Sequence, residues 1–99
     1  MSTQEEWDAE RAAYLEGFAA NVRRIRGEKG LSQMDLERAS RLHRTEIGRI
    51  EKAKVEPRLM TLYILADGLG VAIDDLVAGL PVPRHRKPSP QEQRQRKSS

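Results

Sequence analysis

The 99-residue sequence contains no cysteine. That excludes a disulfide framework and any thiolate metal site, and it suits a reducing compartment, so a cytoplasmic location is expected. Aromatic residues are scarce as well, with one Trp, two Tyr and one Phe. A core must therefore be built mainly from aliphatic side chains. No apolar run approaches the roughly 18 residues of a membrane span, and the acidic opening over residues 1–10 lacks the basic-then-apolar order of a secretory signal. No membrane partner is expected. A phosphate-cradling glycine loop and a Ser/His/Asp set are also missing. His43 and His85 stand far apart, without a Cys or carboxylate companion at ligand spacing. No catalytic residue, metal ligand or cofactor is expected, and the chain does not read as an enzyme.

What is present is charge, unevenly placed. Charged residues make up 33% of the chain against 37% apolar ones, which suits one small helical domain with a large solvated surface. Residues 1–17 carry one Arg against five acids, a net of −4. Residues 18–58 carry eleven bases against six acids (+5), and residues 59–80 carry only three Asp (−3). Residues 81–99 return to +5, with six bases against Glu92. A basic middle between acidic flanks points one face at a polyanion.

Helical spacing dominates up to residue 80. Overlapping capping boxes, Ser2-x-x-Glu5 and Thr3-x-x-Glu6, open a first helix whose acids favour the positive end of the dipole. Trp7, Tyr14, Phe18, Val22 and Ile25 recur at helical intervals to a stop at Gly30. Gly17 either divides this stretch into two helices or sits within one. Ser32 caps a second helix, with Asp35 three residues on, and a third helix follows the turn Arg41-Leu42-His43 and covers about 44–52. Ile47 and Ile50 share one of its faces, leaving Arg44, Thr45, Gly48 and Arg49 to look elsewhere. Pro57 breaks the chain, and a fourth helix from near Arg58 is expected to bury Leu59, Leu62, Leu65, Ala66 and Leu69 before Gly68 and Gly70 end it. A short fifth helix spans about Ile73 to Ala78. Beyond Leu80 the chain is rich in Pro, Arg, Lys, Gln and Ser, and this basic tail (81–99) is expected to be disordered.

Two short helices joined by a tight turn, the second with a polar free face, match a duplex groove: a helix fits the ~12 Å major groove, where each base pair shows its own donor and acceptor pattern. Leu31-Ser32-Gln33-Met34-Asp35-Leu36, then Leu42-His43-Arg44-Thr45-Glu46-Ile47-Gly48-Arg49-Ile50-Glu51, then Glu56-Pro57-Arg58 and Leu65-Ala66-Asp67-Gly68-Leu69-Gly70-Val71, together resemble the Cro/phage-repressor (Xre-type) helix-turn-helix family over about residues 18–80. The resemblance implies an all-α fold: a compact five-helix, lambda-repressor-like DNA-binding domain at 18–80, with residues 1–17 as an additional or extended N-terminal helix. It also implies a homodimeric transcriptional regulator, a repressor or controller protein, on a palindromic double-stranded operator.

Carried over by position, Arg44, Thr45 and Arg49 would face base edges, with Glu46 there too or orienting a neighbouring arginine. Gln33, His43, Lys52, Lys54 and Arg58 would hold the DNA backbone. His43 is alternatively a cap for the third helix, and Glu51 reads as an acid paired within the domain. Glu37 and Ser40 stand where the family has small or apolar residues. Arg41 and Ala53 replace common glycines, so either Arg41 is left-handed or the turn has another shape. Trp7, Tyr14, Leu76 and Leu80 are the residues expected at a dimer interface. The competing reading is an antitoxin-type module that neutralises a partner toxin and autoregulates its operon.

Overall fold

The computed structural model describes residues 3–80 together with Pro90, Gln91 and Arg94. Apart from those three positions, the tail expected to be disordered lies outside the described residues. Between residues 3 and 80 five helices follow one another: α1 (Gln4–Glu28), α2 (Gln33–Ala39), α3 (Arg44–Glu51), α4 (Leu59–Leu69) and α5 (Ile73–Leu76). There is no strand among the described residues.

Local chemistry explains most of the boundaries. Thr3 Oγ1 accepts the Glu6 N–H at 3.1 Å, and the Glu6 carboxylate accepts the Thr3 N–H at 3.3 Å, closing a capping box on α1. Gly17 lies inside this single helix, where a Cβ would come within 2.6 Å of Leu80 Cδ2. Glycine there makes room for the chain that follows α5. Gly30, at φ +69°, ends α1, with the Leu31 N–H reaching back to the Arg26 carbonyl at 3.0 Å. On α2 the shorter Asp35 does close its box. Ser32 Oγ accepts the Asp35 N–H at 3.0 Å, and the Asp35 carboxylate accepts the Ser32 N–H at 2.8 Å. The bond from the Ser32 backbone, then that from its side chain, holds the Asp35 carboxyl below its ordinary value.

The turn between α2 and α3 is not built on a left-handed Arg41. Among the described residues Ala53 is the one non-glycine at positive φ, +57°. Ser40 shapes the turn instead: its extended backbone breaks α2, its hydroxyl donates to the Leu36 carbonyl at 2.7 Å, and it accepts the Leu42 N–H at 3.2 Å. The left-handed position falls after α3, where Ala53 N–H reaches Ile50 O at 3.1 Å and Lys54 N–H reaches Arg49 O at 2.9 Å. That pattern favours glycine at the left-handed residue. Ala53→Gly is therefore expected to raise stability by roughly 0.5 kcal/mol, the relief of about 1–2 kcal/mol of backbone strain being partly offset by glycine's greater unfolded-state entropy. Urea denaturation checks the sign.

The core is one cluster: Phe18, Val22 and Ile25 from α1, Leu36 from α2, Leu42 from the turn, Ile47 and Ile50 from α3, Leu65, Ala66 and Leu69 from α4, and Leu76 from α5. Leu59 does not join it. Periodicity places Leu59 on the stripe of Leu62 and Leu65, but the core cluster takes in α4 only from Leu62 on, leaving Leu59 68% exposed beside exposed Met60 and Tyr63. Gly68 also lies within α4 rather than ending it. A Cβ there would stand 3.0 Å from Ser40 Cβ and 3.1 Å from Leu36 Cδ1, so the missing side chain sets how closely α4 approaches the end of α2. Gly70, at φ +70°, ends the helix. Helix α5 stops earlier than its spacing implies, because Asn21 Nδ2 donates to the carbonyls of both Leu76 and Ala78 at 2.9 Å. No helix among the described residues is long and apolar enough to cross a membrane.

Candidate nucleic-acid interface

Helix α3 is eight residues long, and two of them fix its rotation. Ile47 and Ile50 are buried in the core, so Arg44, Thr45, Glu46 and Arg49 are turned to solvent. Gly48 lies between these side chains, and a Cβ there would meet nothing within 4 Å. The outer face of α3 thus offers long cationic arms around a bare stretch of backbone.

Both ends of α3 are held by side chains from outside the helix. At its start, the Glu37 carboxylate accepts the Arg44 N–H at 2.6 Å, and His43 Nδ1 accepts the Thr45 N–H at 3.1 Å. The unusual acid at position 37 therefore ties α2 to the first turn of α3, where negative charge suits the helix dipole. At its end, buried Glu51 receives Arg26 through two bonds, Nε to Oε2 at 2.6 Å and Nη2 to Oε1 at 3.0 Å. Gln33 Nε2 donates to the same Oε1 at 2.9 Å, and Arg26 also holds the Leu31 carbonyl at 2.9 Å. Arg23 donates to the Glu51 backbone carbonyl. Hydrogen bonding to Glu51 raises the Arg26 guanidinium further above its ordinary value, outweighing the opposing effect of burial.

Beside α3 lies an open concavity of about 600 Å³. His43, Thr45, Glu46 and Arg49 line it from the α3 side, and Val55, Pro57, Arg58 and Thr61 from the loop and α4. It brings together five of the residues expected to contact DNA: His43, Thr45, Glu46, Arg49 and Arg58. Arg44, Lys52 and Lys54 are exposed but outside it, and the Gln33 amide is engaged with Glu51. Glu37, Arg23 and Arg26 hold α3 without having been singled out as site residues. The arginines belong to a stretch of many bases, and nothing local marks which of them turn inward.

The residues expected at a dimer interface part company. Leu76 is 0% exposed, a core residue of this chain with no surface for a partner. Leu80 is half-buried against α1. Trp7 and Tyr14 line a separate groove with Glu10, Arg11 and Glu56, braced by an Arg11–Glu56 ion pair at 3.1 Å.

Two capped helices joined by a Ser40-shaped turn, the second presenting a cationic outer face, form a helix-turn-helix. The helix-turn-helix family model (HTH_3) matches residues 22–76, and the chain belongs to that family. It is a DNA-binding transcriptional regulator. Over 60 residues it is 42% identical to the control protein C.SmaI of Serratia marcescens, a match covering 61% of this chain and 71% of that protein. It is 38% identical over 58 residues to the uncharacterized HTH-type transcriptional regulator y4dJ of Sinorhizobium fredii, covering 59% and 75%. Among solved structures, the restriction-modification controller protein C.AhdI from Aeromonas hydrophila superposes with a TM-score of 0.61 at 32% identity, over 63% of this chain and 94% of that one. A hypothetical transcription factor, NHTF from Neisseria, does so with a TM-score of 0.61 at 30% identity, over 83% of each chain.

Proposed function

We propose that this regulator acts as a non-enzymatic homodimer on an inverted-repeat operator, each copy placing α3 in the major groove of one half-site. The observation that carries the reading is the outer face of α3, where Arg44, Thr45 and Arg49 project while Ile47 and Ile50 anchor the helix from behind. Arg44 and Arg49 each read a guanine through paired donors, and Thr45 meets a thymine methyl or a phosphate. Glu46 lies beside Arg49 in the concavity and serves to orient it. Arg58, His43, Lys52, Lys54 and Gln33 grip phosphates, and Gln33 reaches DNA only by exchanging its bond to Glu51. Residues 18–80 form the DNA-binding body in this reading, and residues 1–17 an extension of α1. The exposed apolar face of α4 at Leu59, Met60 and Tyr63 supports contact with a second copy. Likeness to C.SmaI and C.AhdI favours a controller protein, and the reading places its action in the cytoplasm.

The test begins with selection of bound sequences from a random duplex pool, which should return an inverted repeat. On the selected site, Arg49→Ala is expected to lower affinity about 10- to 100-fold while barely changing affinity for unrelated DNA. Lys54→Ala is expected to weaken both alike and to reduce the salt slope by about one. Equal losses from the two substitutions would overturn the assignment of Arg49 to the bases. Gly48→Ala probes the bare backbone between the arms. It should stabilise the fold by up to about 1 kcal/mol, since the new methyl meets nothing and glycine weakens a helix. It should also weaken specific binding by holding α3 away from the bases, measured by thermal unfolding and filter binding on one preparation.

A further inference from the structure

Arg11 interrupts the apolar stripe of α1. It stands four residues after Trp7, three before Tyr14 and seven before Phe18, on the helix face those residues share. Its side chain stays out of the core and reaches a distant loop instead: Nε donates to Glu56 Oε1 at 3.1 Å, across 45 residues of chain. Both side chains are more than half exposed, at 51% and 62%. Such a pair adds little to folding stability, because solvent screens it and two long side chains must be held in one geometry. Its place matters more. Glu56 lines the concavity beside α3 together with Arg49 and Arg58, and it also lines the groove of Trp7, Tyr14 and Arg11. The Glu56 carboxylate stands where the two depressions meet, and Arg11 engages it from the groove. Arg58, two residues further along the chain, takes no part in the ion pairs among the described residues.

We propose that Arg11 is a positioning residue for DNA binding: it restrains the Glu56 carboxylate on the α1 side and so keeps Arg58 free for a phosphate, a role that rests on the reading of Arg58 as a backbone contact. Glu56 is the one acid in a segment, residues 52–58, whose other charged side chains are Lys52, Lys54 and Arg58. Released from Arg11, its carboxylate would face the duplex from the rim of the concavity. There it would repel phosphates and compete with them for the Arg58 guanidinium, whose planar donors suit carboxylate and phosphate alike. Pairing with α1 removes both effects and leaves the charge of Arg58 unspent. The N-terminal half of α1 thus acts on the DNA interface through Glu56.

Breaking the pair from each end in turn, in the full chain, separates this role from a merely structural one. Arg11→Gln should lower affinity about fivefold, for the selected duplex and for unrelated DNA alike, because what Glu56 then competes for is a phosphate contact. The thermal midpoint and helical circular dichroism should not change. Glu56→Gln breaks the same ion pair, yet should bind DNA no more weakly than the native chain. Arg11→Gln added to Glu56→Gln should then cost nothing further. Arg11→Lys keeps a charged donor and should recover most of the affinity. A loss from Glu56→Gln as large as that from Arg11→Gln would overturn the proposal, since a structural tie fails from either end. So would an equal loss from Arg11→Gln in both backgrounds, which would make Arg11 a DNA contact in its own right, or no loss from Arg11→Gln at all. Arg58→Ala is the control on the underlying reading and should weaken binding to both duplexes. Were it to bind like the native chain, the assignment of Arg58 would fail and that of Arg11 with it; the other adverse outcomes overturn only the role of Arg11.

Discussion

Replacing Glu51 by alanine is expected to lower the unfolding free energy by roughly 3 kcal/mol, because it strands a partly buried arginine. The Glu51 side chain is 4% exposed and that of Arg26 22%. Both carboxylate oxygens are engaged, one by Arg26 Nε and the other by Arg26 Nη2 and Gln33 together. Alanine removes all three acceptor contacts at once and leaves a guanidinium that cannot shed its charge. For a domain of this size the midpoint of thermal unfolding should fall by roughly 15 °C. Glu51→Gln keeps the shape but loses the charge, and should fall between the two. Arg26→Met combined with Glu51→Leu should recover much of the loss, since an apolar pair of similar volume carries no unpaired charge. If the double variant were less stable than Glu51→Ala, the pair would matter for more than its mutual compensation. The consequence for function is direct: this network joins α1 to the last turn of α3 and the start of α2, so weakening it frees the helix that carries Arg44 and Arg49.

The second large effect comes from the same buried face of α3, one turn before Glu51. Ile47→Ala should cost about 3 kcal/mol, the usual range for such a truncation being about 2–5 kcal/mol. Ile47 is 0% exposed in a cluster to which every helix contributes, so the space left cannot collapse without moving one of them. Chemical denaturation should show a lower midpoint with an unchanged slope if the native fold persists. Specific DNA affinity should also fall, although Ile47 touches no nucleic acid, since an eight-residue helix has no rigidity apart from what packs behind it. The paired control is Thr45→Ala on the exposed face, which should leave stability nearly unchanged. A comparable loss of stability from both would mean that α3 is not oriented by its buried stripe.

Short-range physics made much of this protein legible in its sequence. Capping boxes at Thr3 and Ser32, glycines at 30 and 70, Pro57 and the three-to-four spacing of aliphatic residues specify helices through interactions spanning a few residues, and all of them act as their chemistry dictates. The same spacing puts Ile47 and Ile50 behind Arg44, Thr45 and Arg49, so the orientation of the cationic face is a local property as well. What only the tertiary structure decided involves residues far apart. Leu59 satisfies the stripe of α4 yet lies in solvent, because spacing defines a face but not where the neighbouring helix ends. Leu76 is core rather than interface, because α1 reaches across to hold the end of α5 through Asn21. The left-handed residue is Ala53 and not Arg41, because Ser40 supplies another way to close the first turn. Glu37 meets the start of α3 across seven residues, and Arg26 finds Glu51 across 25. A carboxylate's partner depends on which donors the folded chain brings within 3 Å of it, a distance that no sequence spacing encodes.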